Sequence, residues 1–257
     1  MRLGCAAYSY RDYLKEGGGM TLEAFVDECA RLGLDGVELT SYYFAAPITN
    51  ARLHELKRHC FRRGMHVLGT AVGSNFAQAE EAARRAQVRM TCEWIDHSVV
   101  LGAPVIRIFA GPVPEGAREE QAFDWALACI EEVVDYGAQR GVAVALENHG
   151  GITGTADQVL RLVEQLRGPW FGLNLDFGNF HQDPYVEIER CAPHAITTHV
   201  KRTMRGPSGP EAVDYERVAE IMRGVGYSGY FSIEYEDKED PRTAVPEFVQ
   251  HLQQVIR

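Results

Sequence analysis

The chain has 257 residues, of which 46% are hydrophobic and 24% are charged, and its formal net charge is −10. This composition is typical of a globular protein with a substantial core, and an acidic balance without a Lys/Arg cluster argues against a nucleic-acid partner. No apolar run approaches the ~20 residues that a membrane span needs, and no signal-peptide layout opens the chain, so we expect a cytoplasmic protein without a membrane partner.

Short apolar runs alternate with helical patterns along the whole chain. Each helical pattern has the 3.6-residue periodicity of an amphipathic helix. Thr21 and Asn50 are expected to cap two of these helices, and Thr155 begins a capping box that Gln158 completes. The Gly- and Pro-rich segment 205–210 predicts a loop. Eight apolar runs predict β-strands, at residues 3–7, 36–39, 66–72, 105–109, 142–147, 171–175, 195–200 and 230–233.

Eight strand–helix alternations follow one another without a linker or a low-complexity stretch. Strands that alternate with helices predict parallel βαβ units, and eight such units in ~250 residues match a (β/α)8 TIM barrel. An open, doubly wound sheet is the rival architecture, but no G-x-G-x-x-G follows any strand. We therefore expect an α/β fold made of a single (β/α)8 barrel domain that spans residues 1–257.

Four strands in the second half of the chain end in a carboxylate or an imidazole. In a barrel the C-terminal ends of the strands converge, so these side chains are predicted to be neighbours. Three uncompensated carboxylates would repel one another, and one divalent cation would remove that repulsion. The donor set favours Mn²⁺, Mg²⁺ or Co²⁺, and Zn²⁺ also fits. The predicted metal ligands are Glu147, Asp176, His199 and Glu234.

The same side chains predict a reaction. A divalent cation can grip two oxygens of a hydroxy-ketone and polarise its carbonyl, which acidifies the adjacent C–H bond. Glu147 and Glu234, one at each edge of the site, can then act as base on one face and acid on the other. This is the chemistry of a sugar isomerase or epimerase with a small-molecule substrate.

The strand order resembles that of the xylose isomerase-like barrel superfamily of sugar (phosphate) isomerases and epimerases, which includes ketose 3-epimerases and inosose dehydratases. The resemblance implies that the four strand-end residues bind one metal ion and that the two glutamates move the proton. It is most specific at four motifs: Leu146-Glu147-Asn148-His149, Leu175-Asp176-Phe177-Gly178-Asn179, His199-Val200-Lys201 and Ile233-Glu234.

Five further side chains are expected to contact the substrate from the same mouth. Arg205 stands six residues after the ligand His, where the ketose epimerases commonly carry an Arg that contacts substrate. Lys201 resembles the His-x-Lys of other branches of the superfamily, including dehydratase-like ones. A purely structural or solvated role is the alternative for each residue. The set is Tyr8, His149, His181, Lys201 and Arg205.

The motifs depart from the epimerase pattern at Asn179, where those enzymes tend to carry a His. This departure and Lys201 keep open a metal-dependent lyase or dehydratase that acts on a keto-sugar, an inosose or dehydroshikimate. An AP-endonuclease and a non-catalytic sugar-binding barrel are further alternatives, against which the net charge and the two acid/base glutamates argue. A homo-oligomeric state also stays open.

Glu38, inside the second strand, is either a buried acid that supports the site or the partner of Arg107 on the fourth strand.

Overall fold

The computed structural model describes residues 1–206 and 209–256. Its strands, in chain order, are β1 (Arg2–Ala6), β2 (Gly36–Thr40), β3 (His66–Ala71), β4 (Val105–Ile108), β5 (Ala143–Glu147), β6 (Phe171–Asp176), β7 (Ala195–Val200), β8 (Thr203–Gly206), β9 (Gly209–Ala212) and β10 (Tyr230–Ile233). Its helices are α1 (Arg11–Leu14), α2 (Leu22–Arg31), α3 (Asn50–Arg62), α4 (Glu81–Leu101), α5 (Glu119–Arg140), α6 (Ala156–Gln165), α7 (Pro184–Cys191), α8 (Tyr215–Gly224) and α9 (Pro241–Ile256).

Eight parallel strands form a closed barrel in the order β1-β10-β7-β6-β5-β4-β3-β2. The barrel closes where β1 pairs with β10, with Arg2 opposite Tyr230, while the other edge of β1 pairs with β2. The predicted (β/α)8 barrel is therefore confirmed. Because all eight strands are parallel, their carboxyl ends open at one mouth. Within residues 1–206 and 209–256, no helix has both the length and the hydropathy that crossing a membrane requires.

The prediction of a loop at residues 205–210 is wrong for the part of this segment that the structure describes. Thr203–Gly206 and Gly209–Ala212 pair as the antiparallel hairpin β8–β9, with Arg205 opposite Pro210. A proline is tolerated there because a two-stranded hairpin has only edge strands. Residues 207 and 208 of the predicted loop lie outside the described residues.

Helix caps follow the predicted chemistry with one shift of position. Thr21 caps α2 as expected, but α3 is capped by Thr49, whose side chain accepts a hydrogen bond from the backbone N–H of Arg52. Asn50 is instead the first residue of the helix. Thr49 takes the cap because its backbone is extended while its hydroxyl reaches the first turn.

We expect Thr155→Ala to lower the free energy of unfolding by about 1 kcal/mol. Thr155 Oγ1 accepts from the backbone N–H of Gln158, and the Gln158 side chain accepts from the backbone N–H of Thr155, so α6 starts with a reciprocal capping box. Urea unfolding followed by circular dichroism measures the change. Thr155→Ser keeps the hydroxyl and should unfold close to the wild type. An unchanged urea midpoint for Thr155→Ala would contradict the assignment.

Candidate functional site

Four predicted ligand residues meet at the mouth of the barrel. Glu147 ends β5, Asp176 ends β6, His199 lies in β7 and Glu234 follows β10 directly. One possible ligand atom of each residue lies within 4.8 Å of the corresponding atoms of the other three. All four side chains are buried, with exposed fractions of 1%, 0%, 0% and 5% in that order. A buried cluster of three carboxyl groups and one imidazole requires compensating positive charge.

The ends of β5 and β6 are fixed by side-chain hydrogen bonds to the backbone. Asn148 donates from Nδ2 to the carbonyl of Asp176 (2.9 Å), and its Oδ1 accepts from the backbone N–H of Asp176 (2.8 Å). The backbone N–H of Gly178 donates to Asp176 Oδ1 at 2.7 Å. Asp176 Oδ1 is thereby occupied, and Oδ2 is left to face the cluster.

His199 is oriented by a carboxylate on the opposite wall of the barrel. Its Nε2 lies 3.0 Å from Oε2 of Glu38, so Nε2 donates and Nδ1 faces the cluster. Nδ1 lies 3.2 Å from Glu147 Oε2 and 3.4 Å from Glu234 Oε2. A histidine held by a carboxylate through its far nitrogen is the usual arrangement of a metal-binding imidazole. Of the two alternatives for Glu38, the structure shows the buried acid that supports the site.

The donor atoms fit a divalent cation. His199 Nδ1 and Asp176 Oδ2 are buried and make no hydrogen bond of suitable geometry with any residue in 1–206 or 209–256. Each atom instead lies 3.2 Å from a charged group, Nδ1 from Glu147 Oε2 and Oδ2 from Lys201 Nζ, and a divalent cation held in the cluster would be coordinated by both atoms. Oxygen donors with a single nitrogen suit Mn²⁺, Mg²⁺ or Co²⁺, and they are also compatible with Zn²⁺.

Neighbouring cations keep two of the carboxyl groups ionised despite their burial. Burial alone would raise the pKa of Glu147, but the charges of Arg107 and His199 outweigh it, and the pKa lies below its ordinary value. Burial is likewise outweighed at Glu234, where His199 and Lys201 bring the pKa well below the ordinary value. Both glutamates are therefore carboxylates near neutral pH, the form that a metal ligand or a general base needs.

Lys201 lies inside the cluster and is only 7% exposed. Its Nζ is 3.2 Å from Asp176 Oδ2, 3.4 Å from Glu234 Oε2 and 2.6 Å from Glu236 Oε2, and it donates to Asn179 Oδ1 at 3.1 Å. Even so, burial raises the pKa of Asp176 to about 7, because the opposing charge of Lys201 offsets it only in part. Lys201 is therefore a charge partner of the carboxylates, and its contact with substrate stays a prediction.

Arg107 is a site residue that the sequence patterns did not identify. Its Nε forms an ion pair with Glu147 Oε2 at 3.2 Å without the geometry of a hydrogen bond, and Asn174 Nδ2 donates to the same oxygen at 2.9 Å. The alternative that Arg107 pairs with Glu38 is not observed among the described residues. The available signal was that Glu38 and Arg107 are charged residues inside apolar strand runs. A strand run does not show which side chain its charged residue contacts.

A cavity of about 340 Å³ opens beside the cluster. Its lining includes four of the five residues predicted to contact substrate, namely His149, His181, Lys201 and Arg205. Tyr8 does not line this cavity. It is half-buried in a 3₁₀ turn after β1, where the Arg11 guanidinium lies 5.2 Å from its ring centroid. The contacts of all five residues with substrate stay predictions.

Comparison with known proteins gives a family match over most of the chain and a curated relative over part of it. A family model described as xylose isomerase-like TIM barrel matches residues 26–255. L-ribulose-5-phosphate 3-epimerase UlaE of Escherichia coli is 31% identical over 127 residues, which is 45% of this chain and 45% of that protein. The chain thus matches less than half the length of this curated relative.

Two solved structures share the fold. The crystal structure of D-psicose 3-epimerase with D-tagatose from Clostridium cellulolyticum H10 has a TM-score of 0.82 at 15% identity and covers 100% of both chains. The crystal structure of the IOLI protein with a binding zinc atom has a TM-score of 0.78 at 17% identity, covering 99% of this chain and 96% of that one. At these identities the likeness establishes the fold.

Proposed function

This chain belongs to the xylose isomerase-like TIM barrel family, and from that membership we propose that it is a divalent-metal-dependent 3-epimerase of a ketose or a ketose phosphate. The observation that carries the proposal is the buried cluster in which Glu147 and Glu234 meet with Asp176 and His199. Two glutamates that both lie in a single metal-type site can serve the two faces of one carbon atom. The names of the relatives, L-ribulose-5-phosphate 3-epimerase and D-psicose 3-epimerase, support the same reaction class.

In this proposal the cation is held by Glu147, Asp176, His199 and Glu234. Bound there, it would supply Lewis-acid polarisation of the substrate carbonyl. Mn²⁺, Mg²⁺ and Co²⁺ are the preferred candidates for the oxygen-rich donor set. Zn²⁺ is the alternative, supported by the zinc atom bound in the IOLI crystal structure.

The two glutamates transfer the proton. The Glu147 carboxylate removes the proton from the carbon beside the carbonyl, and the electron pair of that C–H bond forms a C–C double bond while the carbonyl oxygen takes the negative charge. Glu234 takes a proton from solvent and donates it to the opposite face of the same carbon, the carbonyl is restored, and Glu147 releases to solvent the proton that it took. The reverse reaction exchanges the two roles.

The cavity beside the cluster is proposed to hold the part of the sugar that does not react. Arg205, His149 and His181 line it together with the Lys201 ammonium. Imidazole, guanidinium and ammonium groups donate hydrogen bonds to hydroxyl and phosphate oxygens alike. Tyr8 is proposed to contact the sugar from the other side of the mouth, after β1.

Deuterium exchange into candidate ketoses tests the proposed function. Purified protein is expected to hold about one equivalent of a divalent metal, measured by inductively coupled plasma mass spectrometry, and to exchange the C3 proton of L-ribulose 5-phosphate or D-tagatose in D₂O. Appearance of the C3 epimer by NMR would accompany the exchange. Enone absorbance without an epimer would favour a lyase instead. Protein without metal that leaves both sugars unchanged would refute the proposal.

A further inference from the structure

Arg107 is a charged residue buried in the barrel, and the carboxylate of Glu147 lies beside it. The residue lies in β4 and is only 2% exposed. Its Nε is 3.2 Å from Glu147 Oε2, and its Nη1 donates to the carbonyl of Val72 at 3.1 Å. The guanidinium carbon also lies 3.9 Å from the ring centroid of Phe109. The Val72 hydrogen bond and the Phe109 ring therefore hold the guanidinium in place, and the ion pair sets its charge beside Glu147.

The Phe109 ring extends this arrangement to the wall of the cavity. The imidazole of His149 lies 4.1 Å from the Phe109 centroid, at 34° to the ring plane. Two groups cannot both occupy the space about 4 Å above one face of a ring, so Arg107 and His149 lie on opposite faces. Arg107, Phe109 and His149 thus form a stacked column from the buried site to the cavity.

The two proposed proton-transfer glutamates are held in different ways. Glu147 Oε2 has the rigid guanidinium of Arg107 on one side and the amide of Asn174 on another. Both glutamates share the imidazole of His199, and Glu234 Oε2 has in addition the ammonium of Lys201 at 3.4 Å. A guanidinium is planar and presents its donors in a fixed fork, whereas an ammonium on a flexible stem acts as a point charge. Of the two glutamates, Glu147 is therefore the one whose carboxylate has a guanidinium beside it.

We propose that Arg107 is a positioning residue for Glu147, acting through the fixed geometry of its guanidinium and not only through its charge. The inference rests on the proposed function, since it assigns Arg107 to the proton-transfer carboxylate. The Val72 carbonyl and the Phe109 ring hold the guanidinium, and the guanidinium holds Glu147 Oε2 toward the cluster. Placement of a reacting carboxylate to within a fraction of an ångström decides how well it transfers a proton.

Arg107→Lys tests whether Arg107 acts through the geometry of its guanidinium or only through its charge. Lysine keeps the positive charge but lacks the planar guanidinium. Titration calorimetry with Mn²⁺ on metal-stripped protein is expected to show binding about 10- to 100-fold weaker than in the wild type. The turnover number for C3 proton exchange is expected to fall by a similar factor, with KM nearly unchanged. A side chain with a merely structural role would shift the melting temperature without producing this split between the turnover number and KM.

Two further variants keep the test decisive. Phe109→Leu leaves both charges in place and removes the stacking surface, so it should change the Mn²⁺ affinity and the turnover number in the same direction by a smaller factor. Phe109→Leu also tests the role of Arg107 if the Arg107→Lys protein does not fold. Arg52→Lys is the matched control, because Arg52 pairs with Glu23 between α3 and α2 and, among the residues that the structure describes, forms no ion pair with a residue of the cluster.

Wild-type Mn²⁺ affinity and turnover in both Arg107→Lys and Phe109→Leu would overturn the role of Arg107. Failure of the proposed function gives a different pattern. Wild-type protein that binds Mn²⁺ but exchanges no ketose proton would refute the epimerase, while the Mn²⁺ affinities of the variants would still decide whether Arg107 positions Glu147.

Discussion

Glu147→Gln is expected to lower the rate of C3 proton exchange by about 10²- to 10⁴-fold. The substitution keeps the size of the side chain but removes the carboxylate that takes the proton. It also removes the charge that faces Arg107, whose Nε lies 3.2 Å from Glu147 Oε2. Rates in D₂O at saturating ketose, together with the metal content of the same preparation, measure the effect.

The control for this substitution is Glu187→Gln. Glu187 is also a buried glutamate, 8% exposed, but its Oε1 accepts from the backbone N–H of Ala156 at the start of α6. A glutamine can accept that hydrogen bond equally well, so exchange should stay at the wild-type rate. Glu147→Gln protein that retains metal and exchanges the C3 proton as fast as the wild type would rule out Glu147 as the base.

His199→Ala is expected to lower the unfolding free energy of the metal-free protein by about 3–5 kcal/mol and to abolish tight metal binding. Burial lowers the pKa of His199, but Glu234, Glu38 and Glu147 outweigh it and bring the pKa well above its ordinary value. The imidazole is therefore a cation in the metal-free protein. Its removal leaves Glu38, 2% exposed, without its hydrogen-bond donor. Urea unfolding and Mn²⁺ calorimetry measure the two effects.

The double variant His199→Ala/Glu38→Gln tests the physical reason. If the cost comes from an uncompensated buried charge, then neutralising Glu38 should recover part of the lost stability, although not the metal binding. A double variant that is no more stable than His199→Ala would place the cost in lost packing instead. Undiminished Mn²⁺ affinity in either variant would remove His199 from the set of proposed ligands.

Much of the fold could be read from local patterns. The eight apolar runs coincide with the eight barrel strands to within one residue at each end, because a strand buried on both faces needs a continuous apolar segment. The capping box at Thr155 was also predictable, since it depends on two residues three apart. The hairpin β8–β9 was missed because short edge strands with Gly and Pro look like a loop in sequence.

The grouping of Glu147, Asp176, His199 and Glu234 was predictable for a topological reason. Parallel strands in a barrel bring their carboxyl ends to one mouth, so residues at four strand ends become neighbours whatever their distance in sequence. The burial of Lys201 was not predictable in this way. A lysine after a strand end is usually solvated, and only the carboxylates around its Nζ hold this one inside.

The sequence by itself determined the strand–helix alternation, the order of the elements and the types of side chain at each strand end. Only the tertiary structure decided which side chains meet across the interior. Glu38 on β2 contacts His199 on β7, although β1 and β10 lie between these strands in the sheet. Arg107 contacts Glu147, on the adjacent strand, and not Glu38. Such partners depend on the closure of the barrel and the direction of each side chain within it, and neither is encoded in a local pattern.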